Sequence, residues 1–208
     1  MKIEKDYEDI LGLFNKHKVR YCIIGAFAVA YYARPRYTKD LDLLVSTDLQ
    51  NGERIVRALN EFGFKSLDLK KEDFHEEAKI IQLGYEPVRI DILTSIEGCS
   101  FEEVWKKRRI GTYGKEKVYF IGLEELITNK RKSKRKQDKV DLEILLRIRA
   151  KEKRNRPDRP NRRNRRNDSM DAINALAFSR FFCQKSSGTY RNFVLLRKKL
   201  LTTIRRIC

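Results

Sequence analysis

Cysteine and histidine are scarce in this chain: 208 residues include four cysteines and two histidines. Cys22, Cys99, Cys183 and Cys208 stand far apart with no Cys-x-x-Cys pair, which excludes the common zinc ligand patterns. They read as reduced thiols, Cys22 serving as a small core hydrophobe inside an apolar strand. His75, in DFHEEA, lacks the second histidine of a His-Glu-x-x-His zinc site. No apolar run approaches the roughly 18 to 20 residues that a membrane-spanning helix needs. The opening MKIEKDYEDILGLF mixes acidic and basic residues and has no apolar signal core. A cytoplasmic location without membrane contact is the expectation.

Charge, by contrast, is abundant. Lys and Arg number 47 against 29 Asp and Glu, a net of +18. Its distribution says more than its size: residues 1–150 carry +5 and residues 151–208 carry +13. The pattern is that of a nearly balanced domain followed by a basic tail. KEKRNRPDRPNRRNRRNDS has almost no apolar residue and two prolines, too little to bury for independent folding. DAINALAFSRFF and NFVLLRKKLLTTIRRI beyond it have the composition of two short helices. Three readings of 151–208 stand side by side: a nucleic-acid-binding extension acting through phosphates, a solvated disordered one, or sequence foreign to the domain, such as a shifted frame. The abrupt break and the run NRRNRRN favour the last two.

Within 1–150, Tyr7, Ile10, Leu11 and Phe14 recur at helical spacing and predict an amphipathic helix. RYCIIG is a short apolar strand stopped by Gly25, and AFAVAYYA a small-residue helix ended before Pro35. DLDLLV alternates and then turns wholly apolar, as a strand buried on one face and functional near its start. NGERIVRALNEFGF predicts a helix with Gly63 just past its end. KIIQL and VRIDIL predict a β-hairpin. FEEVWKKR predicts a helix capped by Ser100, with Glu102 and Glu103 in its first turn. RIGTY and KVYFI form a second hairpin around Gly114, and IGLEELITNK and KVDLEILLRI two further helices.

Side chains alternate along a strand, so Asp40 and Asp42 share a face about 7 Å apart. Two carboxylates so placed at the start of an apolar strand repel each other unless a cation lies between them. Mg²⁺ prefers such hard oxygen ligands. Asp91 is again a lone carboxylate in an apolar strand, and if VRIDIL lies beside DLDLLV the three converge. Upstream, Gly25 ends a strand and opens a helix at Ala26, where free backbone N–H groups suit a phosphate.

These features together resemble the nucleotidyltransferase superfamily, whose signature is an apolar residue, Gly-Gly or Gly-Ser, a spacer, Asp-x-Asp or Asp-x-Glu, and a third carboxylate on a later strand. Here it reads IIGA, thirteen residues from Phe27 to Lys39, DLD, and later RIDIL. GAFAVAYYARPRYTKDLDLLV is similar to the small prokaryotic members related to AbiEii-type toxins and minimal nucleotidyltransferases. These carry an Arg-x-Thr before the metal pair, as Arg36 and Thr38 stand here. Their later helix has a Lys and an Arg-x-x-Asp-x-x-Asp-Leu run, matched by Lys130, Arg135, Asp138, Asp141 and Leu142. One departure is Ala26, which stands where the pattern has Gly or Ser. It keeps the N–H and adds a methyl.

The resemblance covers roughly residues 5–150 and implies a fold: α/β (or α+β), a small mixed sheet flanked by helices, with strands RYCIIG, DLDLLV, KIIQL and VRIDIL and a helical C-terminal part. It implies transfer of a nucleoside monophosphate from an NTP, such as ATP, to an acceptor hydroxyl of a protein, tRNA or small molecule. Two Mg²⁺ or Mn²⁺ ions on Asp40, Asp42 and Asp91 would assist. Gly25, Ala26, Arg36, Thr38 and Lys130 are the candidate phosphate contacts. Lys130 and RKSKRK also read as a solvated helix end, and Asp138 and Asp141 as surface or capping groups. The competing readings are a catalytically weak binding member of a toxin–antitoxin pair and a nucleic-acid binder dominated by its tail.

Overall fold

The computed structural model describes residues 4–33, 38, 40–85 and 88–154, and the backbone of 203–206. Its centre is a mixed sheet in the order β5-β6-β1-β2-β4-β3-β7. The strands are β1 (Tyr21–Ile23), β2 (Asp40–Val45), β3 (Lys79–Tyr85), β4 (Val88–Leu93), β5 (Arg109–Tyr113), β6 (Glu116–Phe120) and β7 (Thr203–Arg206). The helices are α1 (Lys5–Lys16), α2 (Gly25–Tyr32), α3 (Leu49–Leu59), α4 (Phe101–Lys106), α5 (Leu123–Lys132) and α6 (Lys136–Arg154).

β2 decides the architecture. Leu41, Leu43, Leu44 and Val45 are all completely buried, so the strand must run through the middle of the sheet, covered on both faces. Burying such side chains is worth about 1.5–3 kcal/mol each. β1 pairs with β2 antiparallel and with β6 parallel, while β2 pairs with β4 parallel from Asp40↔Arg89 to Leu44↔Leu93. The expected hairpin of β3 and β4 forms, antiparallel. It turns so that β4, rather than the β3 that precedes it in the chain, lies against β2.

The helices close the faces as their periodicity demands. α1 buries Tyr7, Ile10, Leu11 and Phe14, and Tyr7 stacks edge-on against Phe27 of α2. Asp48 caps α3 by accepting from the Asn51 N–H. Beyond α3 the chain continues into Asn60–Phe64, where Gly63, at φ 115°, breaks the helical backbone. Ser100 caps α4, and Glu103 returns the bond to the Ser100 N–H. Tyr31 lies in the core, its ring stacked on Phe120. Cys22 is fully buried, and burial pushes its thiol up to about 12. Cys183 and Cys208 lie outside the described residues, as does most of the tail.

One element of the tail differs from expectation. Thr203–Arg206, inside the segment expected to be helical, is a strand paired antiparallel with β3. β-Branched Thr203 and Ile204 suit an extended edge. β3 offers that edge, since only its other side is taken by β4. Among the described residues no helix is long and apolar enough to cross a membrane.

Candidate functional site

Because β2 and β4 are parallel and in register, Asp42 faces Asp91 and Asp40 faces Arg89 across one strand spacing. Side chains two apart share a face, so these four form a square on the sheet surface: three carboxylates and one guanidinium. One oxygen from each of Asp40, Asp42 and Asp91 lies within 4.8 Å of the others. Asp40 and Asp42 are half-buried and Asp91 is buried.

Asp42 bears most of the electrostatic load. Burial, then Asp40, then Asp91 push its carboxyl up to about 7, with Lys130 and Arg89 offsetting part of the rise. It lies directly against the start of α2. A Cβ placed on Gly25 would come within 1.9 Å of Asp42 Oδ2, and Gly25 has φ +61°. The Ile24 N–H also donates to the Asp42 carbonyl at 3.0 Å. The glycine in IIGA is therefore required twice, for its left-handed backbone and for the space the carboxylate fills.

Thr38, expected near phosphate, donates to Asp40 Oδ1 at 2.7 Å. It thereby fixes one carboxylate of the cluster. Ala26 is buried in the first turn of α2. Arg36 lies outside the described residues.

Lys130 departs from its reading as part of a solvated helix end. It is 6% exposed, bonded to Asp138 and 3.2 Å from Asp141. Asp141 is completely buried, which corrects its reading as a surface or capping group. Partial burial pushes the Asp138 carboxyl up, but bonds from Lys130 and Ser133 outweigh it and hold the carboxyl low. The Lys-then-Asp-x-x-Asp run thus forms a buried ionic clasp between α5 and α6.

Arg89 is the residue that the motif-based reading passed over. Its Nη2 donates to Asp40 Oδ2 at 2.7 Å and to Asp91 Oδ2 at 3.0 Å, and its Nε donates to Asp91 Oδ1 at 2.8 Å. Gln82 of β3 donates to Asp91 Oδ2 at 3.3 Å. The available signal was the period of two in VRIDIL, which puts residue 89 on the face of residue 91.

The residues fit a divalent cation. They are hard oxygen donors from adjacent strands, and burial together with their mutual repulsion raises Asp42. An ion between them would relieve it.

The chain belongs to a family of nucleotidyl transferases: the family model described as "Nucleotidyl transferase of unknown function (DUF2204)" matches residues 3–168. No curated protein matches the sequence. Among solved structures, the chain is similar to the lincomycin-bound lincosamide antibiotic adenylyltransferase LnuA. The identity is 18%, over 71% of this chain and 98% of that one, with a TM-score of 0.44.

Proposed function

We propose that this chain is a metal-dependent nucleotidyltransferase that moves a nucleoside monophosphate from an NTP to an acceptor hydroxyl on a protein, a tRNA or a small molecule. One observation carries the reading: oxygens of Asp40, Asp42 and Asp91 gather within 4.8 Å beside the N-terminus of α2. Asp40 and Asp42 hold the Mg²⁺ or Mn²⁺ ions. Asp91, on the neighbouring strand, completes the ligand set and favours loss of the acceptor's proton. The bound ions would supply charge stabilisation for the attacking and leaving oxygens of an in-line displacement. The first N–H groups of α2 at Gly25 and Ala26 face incoming phosphate, and Arg36 is a further phosphate contact that the sequence pattern implies. Thr38 orients Asp40, and Lys130 acts on Asp42 through its charge.

The alternative, a catalytically silent binding member acting in a toxin–antitoxin pair, draws support from Arg89, which neutralises part of the cluster without any ion. Incubation with radiolabelled NTPs, Mg²⁺ or Mn²⁺, and a tRNA and protein extract separates the two readings. Label transferred by the wild type and not by an Asp40→Ala/Asp42→Ala chain supports the transferase and reveals the acceptor class. Equal labelling by both chains sinks it.

A further inference from the structure

We propose that Arg89 is a resident counter-cation of the carboxylate cluster. It holds Asp40 and Asp91 in the metal-free protein and yields them to a divalent ion, thereby setting the affinity for metal. The inference rests on the metal-dependent reading above.

The geometry is that of a clamp rather than a passing contact. Arg89 is the register partner of Asp40 across β2 and β4 and stands two residues before Asp91 on the same face. Its guanidinium bonds both strands at once, through the three contacts given above. Both oxygens of Asp91 accept from it, and these are lone pairs that a metal ligand must supply. A planar fork with fixed donor spacing suits this bidentate grip, and a lysine does not.

Among the described residues, the other cation that acts on the cluster is already committed. Lys130 is engaged by Asp138 and Asp141, so the task of balancing Asp40 and Asp91 falls to Arg89. The Arg89 backbone is fixed, its carbonyl accepting from the Tyr7 hydroxyl at 3.0 Å. Its side chain is 27% exposed, and Gly84, its register partner on β3, places no side chain beside it. The guanidinium therefore has a route to solvent while the strand stays put.

A static strut and a yielding counter-cation predict opposite results. If Arg89 merely props the carboxylates in place, its loss weakens metal binding. If it competes with the ion, its loss strengthens binding.

Mn²⁺ affinity of the full chain, measured by calorimetry on wild type, Arg89→Gln, Arg89→Lys and Asp42→Asn, distinguishes them. Arg89→Gln is expected to bind Mn²⁺ about tenfold more tightly, the scale of one nearby charge at a half-exposed site. Its metal-free Tm should fall below wild type, and saturating Mn²⁺ should close the gap. Arg89→Lys, with the charge but not the fork, should bind with intermediate affinity. Equal or weaker binding by Arg89→Gln overturns the proposal, and Arg89→Lys matching wild type reduces the effect to net charge and overturns the clamp.

Binding by wild type that survives in Asp42→Asn, or no binding by any chain, removes the metal-dependent reading itself and this inference with it. Should Arg89→Gln fail to fold, the Nε–H resonance of Arg89 in wild type provides the test. It is expected to shift and to exchange faster with water when Mg²⁺ is added, reverting with chelator. A resonance unmoved at saturating Mg²⁺ would overturn the proposal.

Discussion

The carboxylate of Asp42 fills the space in which any side chain on Gly25 would have to sit, 1.9 Å from the position of an added Cβ. The end of one strand and the start of its neighbour are thus fitted to each other through a missing side chain. Gly25→Ala forces either the carboxylate or the φ +61° backbone to give way. The expected loss is about 1–3 kcal/mol of stability, together with weaker metal binding. Urea unfolding and a Mn²⁺ titration on the same preparation check both.

The raised Asp42 gives stability a pH signature. Its folded pKa of about 7 lies above the ordinary 3.8, so the folded state holds the proton more tightly than the unfolded one. Its contribution to stability is full below about 3.8, falls as the pH rises, and is gone above about 7. Metal-free Asp42→Asn should therefore gain Tm relative to wild type as pH climbs through this window, with a plateau above it. Thermal melts from pH 4 to 8.5 in chelator test this, and a constant difference would count against it.

Metal competes with the same proton. Mg²⁺ affinity of the wild type should rise by up to roughly tenfold per pH unit below the Asp42 midpoint and flatten above it. Calorimetry at pH 6, 7 and 8, corrected for buffer ionisation, provides the measurement.

Removing the lysine from the α5–α6 clasp leaves buried Asp141 and partly buried Asp138 without their cation. Lys130→Met should cost about 3–5 kcal/mol, the penalty for breaking a buried ion pair from one side. Lys130→Met/Asp141→Leu should recover much of it. Equilibrium unfolding of the single and double variants decides the matter, and additive losses would contradict the clasp.

Thr38→Val keeps the shape and removes the donor to Asp40 Oδ1. Stability should change by about 1 kcal/mol or less, while Mn²⁺ affinity falls a few-fold. A fall confined to nucleotide affinity would favour the phosphate contact expected of Thr38.

Local pattern made much of the fold legible. β2 coincides with DLDLLV because an alternating start and a continuous apolar end leave few other options. The Ser100 cap announced itself three residues ahead of Glu103, and the second hairpin was marked by Gly114. The illegible parts arise where distant segments meet. Asp141 is polar among the apolar positions of its helix, and the arrival of Lys130 from α5 offsets the cost of its burial. Arg89 drew no attention in VRIDIL, since one strand cannot show that Asp40, nearly fifty residues earlier, will be its register partner. The strand at Thr203–Arg206 likewise depends on the edge that β3 offers.

The parallel pairing of β2 with β4 also makes the cluster a gauge of correct assembly. Strand side chains alternate strictly, so a slip of one residue between these two strands would send Arg89 and Asp91 to the opposite face from Asp40 and Asp42. A mis-paired chain could remain compact and rich in strand while having no ion-binding capacity. During refolding, the appearance of Mn²⁺ binding would then time the moment when β2 and β4 find their proper alignment, later than any signal from collapse or secondary structure.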